Sequence, residues 1–500
     1  MSVHWGGKAR KLILSPDVRH PIGFLIGVAL VAGLVSPVLP AEALPFVLMS
    51  PFLIGYFVLG LVRFDLAVLG AIFLAPLVPT AIGLGIAPSL PQITLQRVML
   101  LSLYTALIFG VAAKQFVLRL PRLSRWVWLA VVFYLVASMA SGLFTTQPLK
   151  SVYRILATVF DNVGLFAVIA IAAVSRRDGS FVRKALFVLW ISFTVLALIG
   201  LIDTLTGFNL LYYLPSVRQG AFTPVYRLGI RRGQGFLPHS TALSIVTAQG
   251  AVLTMLVTTW RKKSASRRNV WPIMLIHIAA LVGTMTRTGW FVFVVGCILW
   301  LLLARRTRTR LLLIVLGALG LLAVMGIGET LYSVVVSGLN VAQQNEVSTL
   351  FSRIQWATIV WDNVRVDKIR LLFGFGPGSV AFLTSQWSYP GFRANLTTEY
   401  LIRLAEGGMV GLSSFVLLLV VSVGQCRRLI RSSSDPETRN VGVFLLVAFM
   451  QMILGSTTLP LFVWAQTTYL FWILLGLVVT IRALDSKRFR KPDLAIQAIS

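Results

Sequence analysis

The chain has 500 residues, 57% of them hydrophobic and 12% charged, with a mean hydropathy of +0.85; a composition this apolar excludes a water-soluble globule. The formal net charge is +29, but Lys and Arg fall in short clusters between apolar runs of about twenty residues, the length at which a helix crosses a bilayer, so the charge reports topology and excludes a nucleic-acid partner. Cys297 inside an apolar run and Cys426 beside a basic cluster lie too far apart in sequence and setting for a disulfide framework or a metal site.

In chain order, Met1 to His20 is basic like the start of a signal peptide, yet no small-residue cleavage site follows. It is read as a cytoplasmic lead into a retained first helix. A backbone in lipid must satisfy its own polar groups, so each long apolar run is predicted to be a helix. Spans are expected at 22–39, 43–62, 66–86, 98–117, 126–144, 155–174, 185–205, 239–260, 270–285, 289–304, 311–327, 404–424, 441–457 and 461–481. The ninth and thirteenth are short enough to be re-entrant. The expected fold is therefore an all-α polytopic membrane protein of about 12–14 transmembrane helices. Its organisation is an N-terminal helical region at 1–206, a first external segment at 207–238, central helices at 239–331, a large external loop at 332–403, C-terminal helices at 404–481 and a cytoplasmic tail at 482–500.

Alternating the loops across the membrane puts most of the 45 Lys and Arg on one side, together with both termini; by the positive-inside rule that side is the cytoplasm. The two long external segments are where function is to be sought. The larger carries Trp356, Trp361 and Trp387 and a glycine-rich turn, Gly374-Phe375-Gly376-Pro377-Gly378, the pattern of a folded cap. The turn lacks the strand and context of a nucleotide-binding loop and reads as a support. Arginines on the external side run against the positive-inside bias. Arg218, Arg227, Arg231 and Arg232 form one group; Arg287 sits almost alone between two apolar spans, and Arg353 opens the large loop. Several such side chains suit bidentate capture of a pyrophosphate; pairing with lipid headgroups or nearby acids is the alternative. Asp161 and Asp203 fall in or near the external halves of spans, where each could line a substrate path or pair with an arginine. His277, inside a span, reads as a packing residue.

Three motifs carry a resemblance to the superfamily of O-antigen ligases and O-antigen polymerases. They are Arg232-Gly233-Gln234-Gly235-Phe236-Leu237-Pro238-His239, then Thr286-Arg287-Thr288-Gly289-Trp290, and then an ordered set in the large loop. That set comprises Ser352-Arg353-Ile354-Gln355-Trp356, Leu372 to Ser379, and Tyr400-Leu401-Ile402-Arg403-Leu404-Ala405-Glu406-Gly407-Gly408-Met409-Val410-Gly411. The similarity covers roughly residues 225–415, and the first half of the chain matches only in being hydrophobic. It implies a GT-C-like glycosyltransferase that uses no metal or other cofactor and works at the external face of the cytoplasmic (inner) membrane, taking glycan from undecaprenyl pyrophosphate. The ligases carry His-Asn where this chain has Thr397-Thr398, which favours a polymerase of O-antigen or exopolysaccharide over a ligase that attaches polymer to a lipid core.

On this reading Arg287 and Arg232, then Arg353 and Arg227, are the candidate pyrophosphate-binding residues. Glu399, His239 and Glu406 are the candidate general bases, and Gly374, Gly376 and Gly378 form the supporting turn. Each candidate base has a structural alternative: Glu399 as a helix N-terminal carboxylate, Glu406 as a packing residue beside Gly407-Gly408, His239 as a hydrogen-bonded helix start. Expected partners are the lipid-linked glycan, an acceptor glycan or lipid core, and membrane lipids, with a chain-length regulator or export proteins as candidate protein partners. A lipid-linked oligosaccharide flippase is the rival of another class; it should show paired halves, short loops and charges inside spans.

Overall fold

The computed structural model describes residues 44–79, 83–84, 93–113, 124–175, 180–209, 211, 226–227, 230–260, 270–304, 342–387 and 398–488. The first and eleventh expected spans, 22–39 and 311–327, lie outside the described residues; each of the other twelve contains helix, although in 66–86 the helix ends at Leu77 and Gly83–Leu84 form a strand. In order these helices are α1 Leu44–Val62, α2 Phe64–Leu77, α3 Leu95–Ala112, α4 Arg125–Leu143, α5 Pro148–Ala157, α6 Gly164–Ser175, α7 Ser180–Thr206, α8 Ser240–Trp260, α9 Trp271–Gly283 and α10 Arg287–Leu303. The large loop contributes α11 Ala342–Val364, α12 Lys368–Phe373 and α13 Val380–Trp387, and the chain continues through α14 Glu399–Ser432, α15 Pro436–Ser456 and α16 Ala465–Arg488. Among the described residues eight helices are long and apolar enough to cross a membrane, with four shorter apolar helices beside them. The protein is an all-α polytopic membrane protein. Among the described residues the strands amount to two two-residue antiparallel ladders, Gly83–Leu84 with Ile93–Thr94 and Tyr226–Arg227 with Ile230–Arg231.

Helix α8 is the axis of the bundle: every residue from Ser240 to Val257 is buried, in a helix that carries no charged residue and mixes apolar side chains with small polar ones. It packs against α7, α9, α10 and α15. Several polar side chains in this interior donate to neighbouring backbone or side-chain oxygens. Gln249 Nε2 donates to Ala448 O at 3.1 Å, Gln451 Nε2 to Val292 O at 3.3 Å, and the Trp190 indole to Thr254 Oγ1 at 2.9 Å.

Two element boundaries depart from the hydropathy pattern for identifiable reasons. The span expected at 155–174 begins at Pro148, whose fixed φ suits the first helical turn. It passes through a π-helical turn, Thr158–Val163, before α6. The span expected at 404–424 begins at Glu399, with Thr398 accepting from Leu401 N at 3.3 Å as N-cap. The last residues of the 332–403 segment are thus the first turn of α14, and hydropathy misses them because Glu399 and Arg403 are charged. Helix α14 is kinked at Gly408, where φ is 60° and ψ −159°, a region open essentially to glycine alone.

Candidate functional site

The kink in α14 is where the glycine-rich turn docks. Gly374 has φ 67° and ψ −154°, the same glycine-only region as Gly408, and a Cβ on Gly374 would lie 2.6 Å from both Ala405 O and Gly408 N. The turn then runs along the helix: Phe375 N donates to Ala405 O and Gly376 N to Glu406 O, each at 2.9 Å. From the other side, Ser141 at the end of α4 donates to Phe373 O at 2.6 Å and Glu406 O at 2.5 Å. Ser151 of α5 donates to Pro377 O at 2.7 Å. The turn is therefore a support wedged between three helices.

A small cavity of about 30 Å³ opens at this junction, lined by Tyr134, Ser138 and Ser141 of α4, Arg154 of α5, Pro377, and Arg403, Glu406 and Gly407 of α14. That is room for a water or two. Glu406 Oε1 accepts from Gly378 N at 2.9 Å; its other oxygen has no hydrogen-bond partner among the described residues. Arg154 makes no ion pair within 4 Å among them. Arg403 pairs with Glu399 at 2.6 Å through a contact in which Glu399 is fully buried, and its guanidinium lies 5.3 Å from the Phe415 ring centroid and 5.9 Å from that of Tyr134. The second oxygen of Glu399 accepts from Phe462 N at 2.9 Å. Both oxygens of Glu399 are thus committed, whereas Glu406 keeps one available to the cavity.

The arginine-rich motif is built around Asp203, fully buried at the end of α7. Its carboxylate pairs with Arg231 at 3.0 Å and accepts from Gln234 N at 3.0 Å, Gly235 N at 3.2 Å and Asn209 Nδ2 at 3.1 Å. That leaves Arg232 to reach sideways, donating from Nε to Thr284 O at 3.0 Å, while Gly233 N donates to Gly283 O at 3.0 Å. Thr284 is three residues before Arg287, so the first two motifs of the sequence meet here, with Arg287 exposed at the start of α10. Between them Met285 holds φ at 50°, a left-handed conformation that costs a non-glycine residue energy and clusters at functional sites. Arg227 lies on the strand paired with that of Arg231. Arg353 sits apart, on α11, its Nε enclosed without a hydrogen bond; Trp356, Val360 and Val364 of that helix pack against Ile402, Leu404 and Ala405.

Residues 462–466 tie the two clusters together. Phe462 N meets Glu399, the Trp464 ring stacks on His239 with centroids 6.1 Å apart, and Gln466 Nε2 donates to Phe236 O at 3.0 Å. His239 Nδ1 accepts from Thr241 N at 3.1 Å, so its hydrogen resides on Nε2. Burial, and secondarily the charge of Arg232, hold this imidazole at a pKa of about 4 against an ordinary 6.5. Among the described residues no group of three His, Cys, Asp or Glu side chains is placed to hold a metal ion.

The profile of the O-antigen ligase family matches residues 272–416. This stretch is similar to the O-antigen ligase domain. It contains Arg287, the glycine turn, Arg403 and Glu406, whereas the Arg232 to His239 motif lies before it. The family indicates ligase- or polymerase-type chemistry on a lipid-linked glycan and an acceptor. No curated protein matches the chain.

Sequence reasoning left Asp161 and Asp203 without a role; both are arginine partners, Asp161 with Arg97 at 2.8 Å. It overlooked Arg403, although Glu399 and Arg403 have the i,i+4 spacing that marks a helix ion pair. It also overlooked Arg154, which only tertiary packing brings to Glu406.

Proposed function

We propose that the protein is a polymerase of bacterial surface polysaccharide, O-antigen or exopolysaccharide, that takes glycan from undecaprenyl pyrophosphate without a metal ion. The observation that carries this reading is the linkage, through residues 462–466, of the Arg232–Arg287 junction with the Arg154–Arg403–Glu406 cavity, whose Arg403 and Glu406 lie within the stretch that matches the O-antigen ligase family. In the reaction the bond between the anomeric carbon and the pyrophosphate oxygen breaks, and the pyrophosphate leaves with the electron pair. An acceptor hydroxyl oxygen bonds to that carbon and gives up its proton.

Arg287 and Arg232, with Arg227 as a further cation, stabilise the departing pyrophosphate by charge-assisted hydrogen bonds; Arg353, which sits apart on α11, is not assigned to this clamp. Of the three candidate bases Glu406 fits best, since it alone has a carboxylate oxygen facing the cavity. Glu399 is neutralised by Arg403 and holds the segment carrying Trp464. His239 presents an N–H rather than a lone pair at Nε2, which suits donation to a sugar or phosphate oxygen. Thr397-Thr398 in place of the ligases' His-Asn favours polymerisation over transfer to a lipid core.

The test is deletion with complementation by wild type, Arg287→Ala and Glu406→Gln. Single repeat units accumulating on the lipid carrier in the deletion and in both variants are expected. Full-length polymer stranded on the carrier, with the lipid core bare, would identify a ligase; repeat units trapped on the cytoplasmic face would identify a flippase. Unaltered glycan length, attachment and amount would end the enzyme reading.

A further inference from the structure

At the other end of the bundle a second and much larger cavity, of about 370 Å³, is walled by Leu69, Phe187, Val257 and Trp260 and edged by Arg183 and Lys184. These cations occupy the first turn of α7, and Asp203 at the external cluster lies twenty residues further along the same helix, roughly 30 Å away at 1.5 Å per residue. That separation is the thickness of a bilayer's hydrocarbon core, so the cavity belongs to the leaflet opposite the Arg232–Glu406 site.

Phe187, 40% exposed, leaves the cavity open on its lipid side. The Arg183 guanidinium lies 5.3 Å from the Trp260 ring centroid and makes an ion pair with Glu437 at 3.3 Å in which both side chains are about half exposed, 53% and 45%; such a pair is weak and exchangeable. Lys184 is exposed and has no ion pair among the described residues. Two cations against one acid leave a positive excess, and the sequence continues it on both sides with Arg176-Arg177 and Arg261-Lys262-Lys263.

We infer that this cavity is a binding site for an anionic diacyl phospholipid of the inner leaflet, the proximal acyl methylenes filling the apolar chamber and the phosphate resting on Arg183 and Lys184. Basic pockets between helices at a negatively charged leaflet capture such headgroups, and the aromatic ring at the rim anchors the interface. An acyl chain explains the apolar walls, which a free phosphate would leave empty, and the headgroup explains the cations, which a neutral lipid would leave unmatched.

The full-length protein, delipidated in detergent and titrated with phosphatidylglycerol, phosphatidylcholine or inorganic phosphate, can be read by native mass spectrometry. At least tenfold preferential retention of phosphatidylglycerol over phosphatidylcholine is expected. Arg183→Gln/Lys184→Gln and, separately, Lys184→Glu should bring the ratio close to one; both are exposed positions, and unchanged thermal unfolding verifies that the fold survives. Equal retention of the two lipids, a preference untouched by the variants, equal retention of phosphate alone, or displacement of phosphatidylglycerol by stoichiometric polyprenyl phosphate would each overturn the assignment.

Discussion

The two glutamates of α14 sit seven residues apart and are built for different tasks. Glu399 is fully buried against Arg403 and Phe462 N, and removing one partner of a buried ion pair costs about 3–5 kcal/mol because the other charge is stranded. Glu399→Gln is therefore expected to lower the thermal unfolding midpoint markedly, and Arg403→Gln to do the same. Glu406→Gln retains an oxygen for the Gly378 N–H and should leave that midpoint nearly unmoved. Its cost appears in turnover instead, about 10²–10⁴-fold for loss of a general base. A loss of activity in Glu406→Gln that tracked unfolding would assign it to structure alone. His239 gives a third, pH-dependent signature. Its pKa is about 4 in the folded protein, so the unfolded chain takes up a proton near pH 6.5 while the folded chain does not. Stability due to this group is complete above pH 6.5 and declines as the pH falls from 6.5 towards 4. His239→Gln should flatten that part of the stability profile, measured as unfolding midpoint against pH.

At the scale of elements, the junction between the Gly374 turn and the α14 kink turns on two glycines in the same positive-φ backbone region, with Gly407 as an internal control. A Cβ on Gly408 would meet Phe373 N at 2.6 Å, whereas one on Gly407 would meet nothing within 4 Å. Alanine at 374 or 408 is thus expected to destabilise by at least about 1–3 kcal/mol from backbone strain alone and to abolish activity, while Gly407→Ala keeps the unfolding midpoint within about 0.5 kcal/mol of wild type. Equal tolerance at 407 and 408 would refute the close approach. The glycine turn was legible as a support because its residues need unusual dihedrals, and the spans were legible because lipid forces apolar runs into helices. The start of α14 was not, since its first turn is charged and its cost is met by an ion pair that hydropathy cannot see. Nor was Arg154, placed beside Glu406 by the packing of α5 against a turn more than two hundred residues later in the chain. Arg227, Arg232 and Arg287 were singled out by their sign on the wrong side of the membrane, and Arg232 and Arg287 come together through Thr284.

For the molecule as a whole, the arrangement makes sense only if the two ends of the bundle face different compartments. The Arg232–Glu406 end gathers the C-terminus of α7 and the N-termini of α8, α10 and α14, and the opposite end gathers Arg183, Trp260 and Glu437. The positive-inside rule predicts that the latter faces the cytoplasm, which puts the proposed glycan chemistry on the outer face. The native cysteines, Cys297 and Cys426, are both buried, so cysteines introduced at exposed positions report with low background. Ser385→Cys, exposed on α13 of the large loop, should react with a membrane-impermeant maleimide in intact spheroplasts. Ser434→Cys, exposed between α14 and α15, should react only after permeabilisation. The reverse pattern would place Glu406 and its arginines in the cytoplasm, where nucleotide-linked rather than carrier-linked sugars are at hand, and the polymerase reading would fail with it. Labelling of both from outside would break the even alternation of helices between 385 and 434, which α14 alone spans as a single crossing.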